Sequence, residues 1–167
     1  MDQTLVIKVY TALVQAGVQI WIDGGWCVSA LVGRQTRQHS DLDIAVETRH
    51  VDKLRDLLGS WGFNEVARPD TTPWMFVLGD AAGNMVDVHA VKLDSEGRGL
   101  LGPPELGQFY PAGALSGNGV INGQPVKCIA PKFMLQFKTS YPPRDVDRAD
   151  VAALCAHFDL TAPGDWP

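Results

Sequence analysis

Asp41-Leu42-Asp43 carries the highest density of reactive chemistry in the chain. Residues two apart on a β-strand share a face, so the two carboxylates project side by side with Cα atoms roughly 7 Å apart. Like charges at that spacing oppose ionisation unless a cation lies between them. Mg²⁺ suits such a pair, because it takes one or two protein carboxylates and completes its shell with water and phosphate oxygens. Two acids facing solvent on an edge strand would give the same local pattern. Asp87 adds weight to the metal reading. It alternates with Val86 and Val88, and His89 follows on its face one pleat later. If the two strands are neighbours, three acids and an imidazole converge, as a two-metal phosphoryl- or nucleotidyl-transfer site requires.

Asp23-Gly24-Gly25-Trp26 stands between a β-prone run, Val18 to Asp23, and a helical pattern over Trp26 to Val32. Paired glycines at such a junction let backbone approach a ligand, and free N–H groups at the helix start can hold phosphate oxygens. A tight turn without room for a Cβ explains the pair equally well. Gly117, Gly119 and Gly123 miss the spacing of a dinucleotide fingerprint and lack its strand and helix, so that reading is rejected. Trp74, Phe76, Phe109 and Tyr110 suit either core packing or a pocket wall. Lys138 and Arg144 suit either a solvated helix face or contact with a triphosphate. Cys27 reads as a small packing residue.

These residues need elements to position them. Val6, Val9, Tyr10, Leu13 and Val14 have helical spacing, with Gly17 at the stop. Asp41 to Glu47 alternates as a strand, with Asp41, Asp43 and Ala45 on one face and Leu42, Ile44 and Val46 on the other. A helix is expected from about Val51 to Trp61, then strands over 63–68, 74–78 and 84–93. Residues 95–123 turn to Gly, Pro and small side chains, which predicts long shaped loops and at most a hairpin. Pro131 suits the first turn of a helix ending near Ser140. Asp145 or Asp147 suits the cap of a last helix with Val151, Leu154, Cys155 and Phe158 inward. The order predicts one α+β domain over 1–167, with a mixed sheet and a short helical C-terminal portion. Its parts are a catalytic core at 1–98, a Gly/Pro-rich loop region at 99–125 and helices at 126–167.

The composition narrows the function classes. The chain has 167 residues, 46% hydrophobic and 20% charged, which suits one domain with a sizeable core. A net charge of −5 disfavours nucleic-acid polymers and anionic membranes as partners. Cys27, Cys128 and Cys155 are too few and too scattered for a disulfide framework or zinc site, and fit reduced thiols. No basic leader precedes an apolar run, and no segment approaches the ~20 apolar residues that span a bilayer, so a cytoplasmic location is expected.

The runs Trp21-Ile22-Asp23-Gly24-Gly25-Trp26 and Gly33-Arg34-Gln35-Thr36-Arg37-Gln38-His39-Ser40-Asp41-Leu42-Asp43-Ile44 resemble the small antibiotic nucleotidyltransferases. These are the lincosamide and aminoglycoside-2''-adenylyltransferase type of the DNA polymerase β-like superfamily. Val86-Asp87-Val88-His89-Ala90 resembles the family's later acid-bearing strand, and its Asp-x-His form is closer to the lincosamide branch. Asp147-x-x-Asp150 before an apolar helix is a further likeness. The resemblance is dense over 18–47, clear over 84–93 and faint elsewhere. It implies a polymerase β-like nucleotidyltransferase core and transfer of a nucleoside monophosphate, AMP from ATP, to a hydroxyl of a lincosamide or aminoglycoside, with release of pyrophosphate. It implies Asp41, Asp43 and Asp87 as holders of two Mg²⁺ ions, with Asp87, or alternatively His89, as base. It further implies Gly24, Gly25, Trp26, Arg37, His39 and Lys138 at the nucleotide, and allows a homodimer.

Three rivals remain. A toxin or housekeeping nucleotidyltransferase would modify tRNA or protein, and the net charge opposes tRNA. A nucleotide-sensing module without turnover would not need three acids. A metal-dependent phosphohydrolase would be expected to offer more ligands than His39, His50, His89 and His157 supply.

Overall fold

Asp41–Glu47 forms a strand, β2, near the middle of a mixed sheet in the computed structural model. The structure describes residues 1–164 and 166; positions 165 and 167, which the single-domain expectation includes, lie outside the described residues. In β2 the apolar face packs inward, with Leu42, Ile44 and Val46 fully buried. Ala45 is buried as well, although it shares a face with the acids.

Helix α1 (Gln3–Gln15) buries Val6, Val9, Tyr10 and Leu13, starts on an Asp2 cap and ends before Gly17 at φ +75°. Strand β1 (Ile20–Ile22) follows and pairs antiparallel with β2, Ile22 opposite Ile44. Helix α2 (Gly24–Leu31) begins two residues earlier than its apolar pattern predicts, because Asp23 caps it and the two glycines form its first turn. Helix α3 (Val51–Gly59) buries Leu54 and Leu58. The strands β3 (Asn64–Val66), β4 (Met75–Gly79) and β5 (Met85–Leu93) are then added antiparallel to one another. β5 lies parallel to β2 over the full length of β2, with Asp43 opposite Asp87 and Ala45 opposite His89.

The Gly- and Pro-rich segment is more regular than its composition predicts. It holds β6 (Gly99–Leu101), β7 (Phe109–Tyr110) and β8 (Gly117–Ile121), and β8 makes a hairpin with β9 (Gln124–Cys128). The sheet order is β3-β4-β5-β2-β1-β9-β8, with β6 on the far part of β5 and β7 on β6. Close packing explains the glycines. A Cβ on Gly117 would lie 2.5 Å from the Ile129 carbonyl oxygen, and one on Gly119 would lie 2.6 Å from the Ala30 backbone. Those residues are small so that a hairpin can press against α2 and the chain beyond β9, not so that a loop can bend.

Two helices complete the chain. α4 (Pro131–Lys138) has its proline in the first turn, as expected. α5 (Asp145–Phe158) buries Val151 and Leu154, with Cys155 and Phe158 half-buried against the core. Its cap differs from expectation. Arg144 occupies the capping position, and its backbone N–H donates to Asp147 Oδ2 at 3.2 Å. Among the described residues, no helix is long and apolar enough to cross a membrane.

Candidate active site

The parallel pairing of β2 and β5 brings Asp41, Asp43 and Asp87 to the floor of one cleft of about 1200 Å³. The turn after β1 delivers Asp23 and Gly24 to the same floor, where the Asp23 N–H donates to the Asp43 carbonyl at 2.8 Å. Gly24 has φ +58° and no space for a side chain, because a Cβ there would collide with Asp43 Oδ2. Gly25 is equally constrained: a Cβ would lie 2.5 Å from both Arg37 Nη2 and His39 Nδ1. The glycine pair therefore answers to packing around the cleft side chains.

Four carboxylates share this floor with few cations. Burial, then the charges of Asp23, Asp41 and Asp87, push the Asp43 carboxyl up to about 7. Burial also raises Asp87, against the pull of His89 and of Arg68, whose guanidinium is 3.8 Å away. Burial would raise Asp23 too, but His89, the Tyr110 hydroxyl and the Gly24 N–H hold it below its ordinary value. Among the described residues, no three His, Cys, Asp or Glu side chains are gathered into a ready-made metal cage. The donor set nonetheless fits a hard divalent cation. It consists of carboxylate oxygens, and the central one is pushed up to about 7 by burial and by neighbouring negative charge that a cation would offset.

His89 is anchored on its other side. Its Nδ1 lies 2.7 Å from the Tyr110 hydroxyl, and that hydroxyl donates to Asp23 Oδ2 at 2.7 Å. Nε2 lies 3.7 Å from Asp87 Oδ1. Burial works to lower the His89 pKa, but Asp23, Asp87 and Asp43 together hold it above the ordinary value. Tyr110 is thus a site residue, although sequence reasoning left it between packing and pocket wall. Only an aromatic pair in a loop segment signalled it. Tyr110→Phe removes a buried bridge, which costs about 1–3 kcal/mol. Its melting temperature is expected to fall by about 2–10 °C in a thermal denaturation series.

The remaining expected residues divide. His39 and Ser29 are hydrogen-bonded at 2.9 Å, His39 lines the cleft, and burial together with Arg37 pushes its pKa down to about 4. Its imidazole is therefore neutral, and its Nδ1 has no protein partner. Trp26, expected at the nucleotide, is only 1% exposed and does not line the cleft; α2 turns its ring inward onto His39, centroids 4.5 Å apart. Arg37 and Lys138 do line the cleft, yet both are bound to buried acids of α5. Phe109, Tyr141 and Arg144 form part of the wall, Phe76 is core, and Trp74 packs on Gly102.

The sequence model of aminoglycoside-2''-adenylyltransferase matches residues 5–154. The chain belongs to that family. Membership in the aminoglycoside-2''-adenylyltransferase family makes it a nucleotidyltransferase and implies a nucleotide co-substrate. A lincosamide resistance protein of Staphylococcus haemolyticus is 26% identical over 137 residues, 82% of this chain and 84% of that protein. A 2''-aminoglycoside nucleotidyltransferase of Escherichia coli is 26% identical over 125 residues, 75% of this chain and 66% of that protein. Two solved structures share the fold. The lincomycin-bound lincosamide adenylyltransferase LnuA aligns with TM-score 0.80 and 24% identity, covering 92% of this chain and 96% of its own. ANT(2'')-Ia with adenylyl-2''-tobramycin aligns with TM-score 0.73 and 22% identity, covering 92% and 87%.

Proposed function

We propose that this family member transfers AMP from ATP to a hydroxyl of a small-molecule antibiotic and releases pyrophosphate. The observation that carries this reading is the register of β2 and β5, which sets Asp43 directly opposite Asp87 beside Asp41 on one cleft floor. Asp41, Asp43 and Asp87 would hold Mg²⁺, as two ions. Magnesium bound there supplies charge neutralisation of the triphosphate and of the departing pyrophosphate. The chain's own residues do the rest. Gly24 and Gly25 line the cleft without side chains and would present backbone to a phosphate, with His39 lining it beside them. Asp87 and His89 sit together as the groups able to take the proton of the attacking hydroxyl, His89 being the alternate.

The lining of the walls supports one acceptor class over the other. Met75, Leu101, Phe109, Phe137 and Val146 stand on them beside the cations Arg37, Lys138 and Arg144, and among the described residues the carboxylates that line the cleft are those on the floor. A polycationic aminoglycoside needs acids along its length, whereas a lincosamide carries little charge and suits apolar walls. The lincosamide reading is therefore preferred. Incubation with each NTP, Mg²⁺ and a panel of lincosamides and aminoglycosides is expected to give an adenylylated lincosamide by mass spectrometry. Adducts on aminoglycosides alone would reverse the acceptor assignment, and no adduct on any drug would remove the antibiotic reading. A cytoplasmic location, a homodimer and the absence of a nucleic-acid partner complete the proposal, and the net charge of −5 supports the last of these.

A further inference from the structure

Five charged side chains form an alternating ladder across the cleft wall. Arg144 Nε donates to Asp147 Oδ2 at 2.7 Å, and Lys138 Nζ donates to Asp147 Oδ1 at 3.2 Å. The same ammonium lies 3.0 Å from Asp150 Oδ2. Asp150 in turn accepts two hydrogen bonds from Arg37, Nε to Oδ1 at 3.1 Å and Nη2 to Oδ2 at 2.9 Å. The Tyr141 hydroxyl adds a further hydrogen bond to Asp147 at 3.0 Å. Both acid side chains are fully buried, while Arg144 is exposed at the rim.

The ladder joins three separate parts of the chain: the loop between α2 and β2, the end of α4 and the first two turns of α5. Three cations against two acids leave it one positive charge in excess. All three cations line the cleft, and neither acid does. The acids therefore stand behind the cations, and a free Lys138 or Arg37 side chain would otherwise sample many rotamers. A buried pair of this kind is poor evidence of stabilisation in itself, since apolar residues of similar volume pack as well. A specific orientation of the cations is the property that apolar replacements would not supply.

We propose that Asp150, with Asp147, is a positioning residue that holds Arg37 and Lys138 on the cleft wall to receive the phosphates of the nucleotide. The proposal rests on the nucleotidyl-transfer reading above and goes beyond it, because it assigns a binding task to two acids that touch no substrate. Arg37 has its Nε and Nη2 on Asp150 and its Nη1 on the Gln38 carbonyl, so its plane is fixed. Lys138 keeps one of its three protons beyond the two it shares with Asp147 and Asp150. Burial works against the ammonium charge, but Asp150 and Asp147 hold Lys138 protonated. An anion in the cleft thus meets fixed cations and loses little entropy in ordering them.

The test uses the full chain with ATP and Mg²⁺. Wild-type protein is expected to bind ATP in titration calorimetry. Asp150→Asn keeps the volume and removes the charge; it is expected to raise the KM for ATP and weaken ATP binding by about tenfold, while kcat changes less than about threefold. Asp150→Glu is expected to restore part of the affinity. Loss of melting temperature in Asp150→Asn with unchanged KM and unchanged ATP binding would overturn the proposal and make the ladder a purely structural staple. A variant too unstable to assay is replaced by Asp147→Asn, which is expected to weaken ATP binding in the same direction and would refute the proposal if it did not. Failure of the wild type itself to bind ATP would overturn ATP as the donor in the proposed reaction, and the positioning assignment with it.

Discussion

Asp43→Asn is expected to cut nucleotidyl transfer by about 10³-fold or more, while the melting temperature measured without magnesium does not fall. The reasoning separates the two observables. Asp43 is central to the acid cluster, opposite Asp87 and two residues from Asp41. A metal-assisted site draws several kcal/mol of transition-state stabilisation from the cations its carboxylates hold, and each 1.36 kcal/mol is tenfold in rate. Folding gains nothing comparable from the Asp43 charge. Its carboxyl is pushed up to about 7 by burial and by three neighbouring acids, so ionisation there works against the folded state. Asparagine keeps the shape and removes the repulsion. Pyrophosphate release at the parental rate in this variant would sink the mechanism, and a large drop in melting temperature would contradict the electrostatic account.

Gly24→Ala is expected to lose both activity and stability, in contrast with Asp43→Asn. Gly24 adopts φ +58°, where an L side chain costs roughly 1–2 kcal/mol. That alone lowers the melting temperature by about 2–8 °C in a domain of this size. The added Cβ would also collide with Asp43 Oδ2, and part of the same carboxylate's Cγ and Cβ lie within contact range. Relief requires Asp43 to rotate away from its partners or α2 to shift. A misplacement of about 1 Å at a reacting centre costs on the order of 10²-fold in rate. Steady-state kinetics beside a thermal melt checks both effects, and parental turnover would show that Asp43 tolerates displacement.

Much of this site was legible because its signals are local. Alternation across 41–47 placed Asp41 and Asp43 on one face, and the pairing of Asp87 with His89 on a second strand needed only a period of two. The likeness over 18–47 and 84–93 led to the family that the sequence comparison then established. The C-terminal helix was legible from its apolar stripe, although Arg144 and not an aspartate caps it. The stretch over 95–123 misled, because glycine composition reports a need for small side chains without saying whether a turn or a close contact imposes it. At Gly117 and Gly119 the contact imposes it.

The sequence by itself determined how Asp41, Asp43, Asp87 and His89 are presented on their own strands, since periodicity depends on neighbours one to four positions away. Tertiary structure decided everything that joins distant segments. Register between β2 and β5 turned three acids into one cluster. Tyr110 reached back 87 residues to Asp23, and Asp150 reached 113 residues to Arg37. Trp26, adjacent to the glycine pair in sequence, went to the core instead of the cleft. Burial of its apolar ring explains Trp26, and one physical reason covers the other three. Hydrogen bonds and charge pairs act over a few ångströms, and only the packed fold sets which remote groups come within that range.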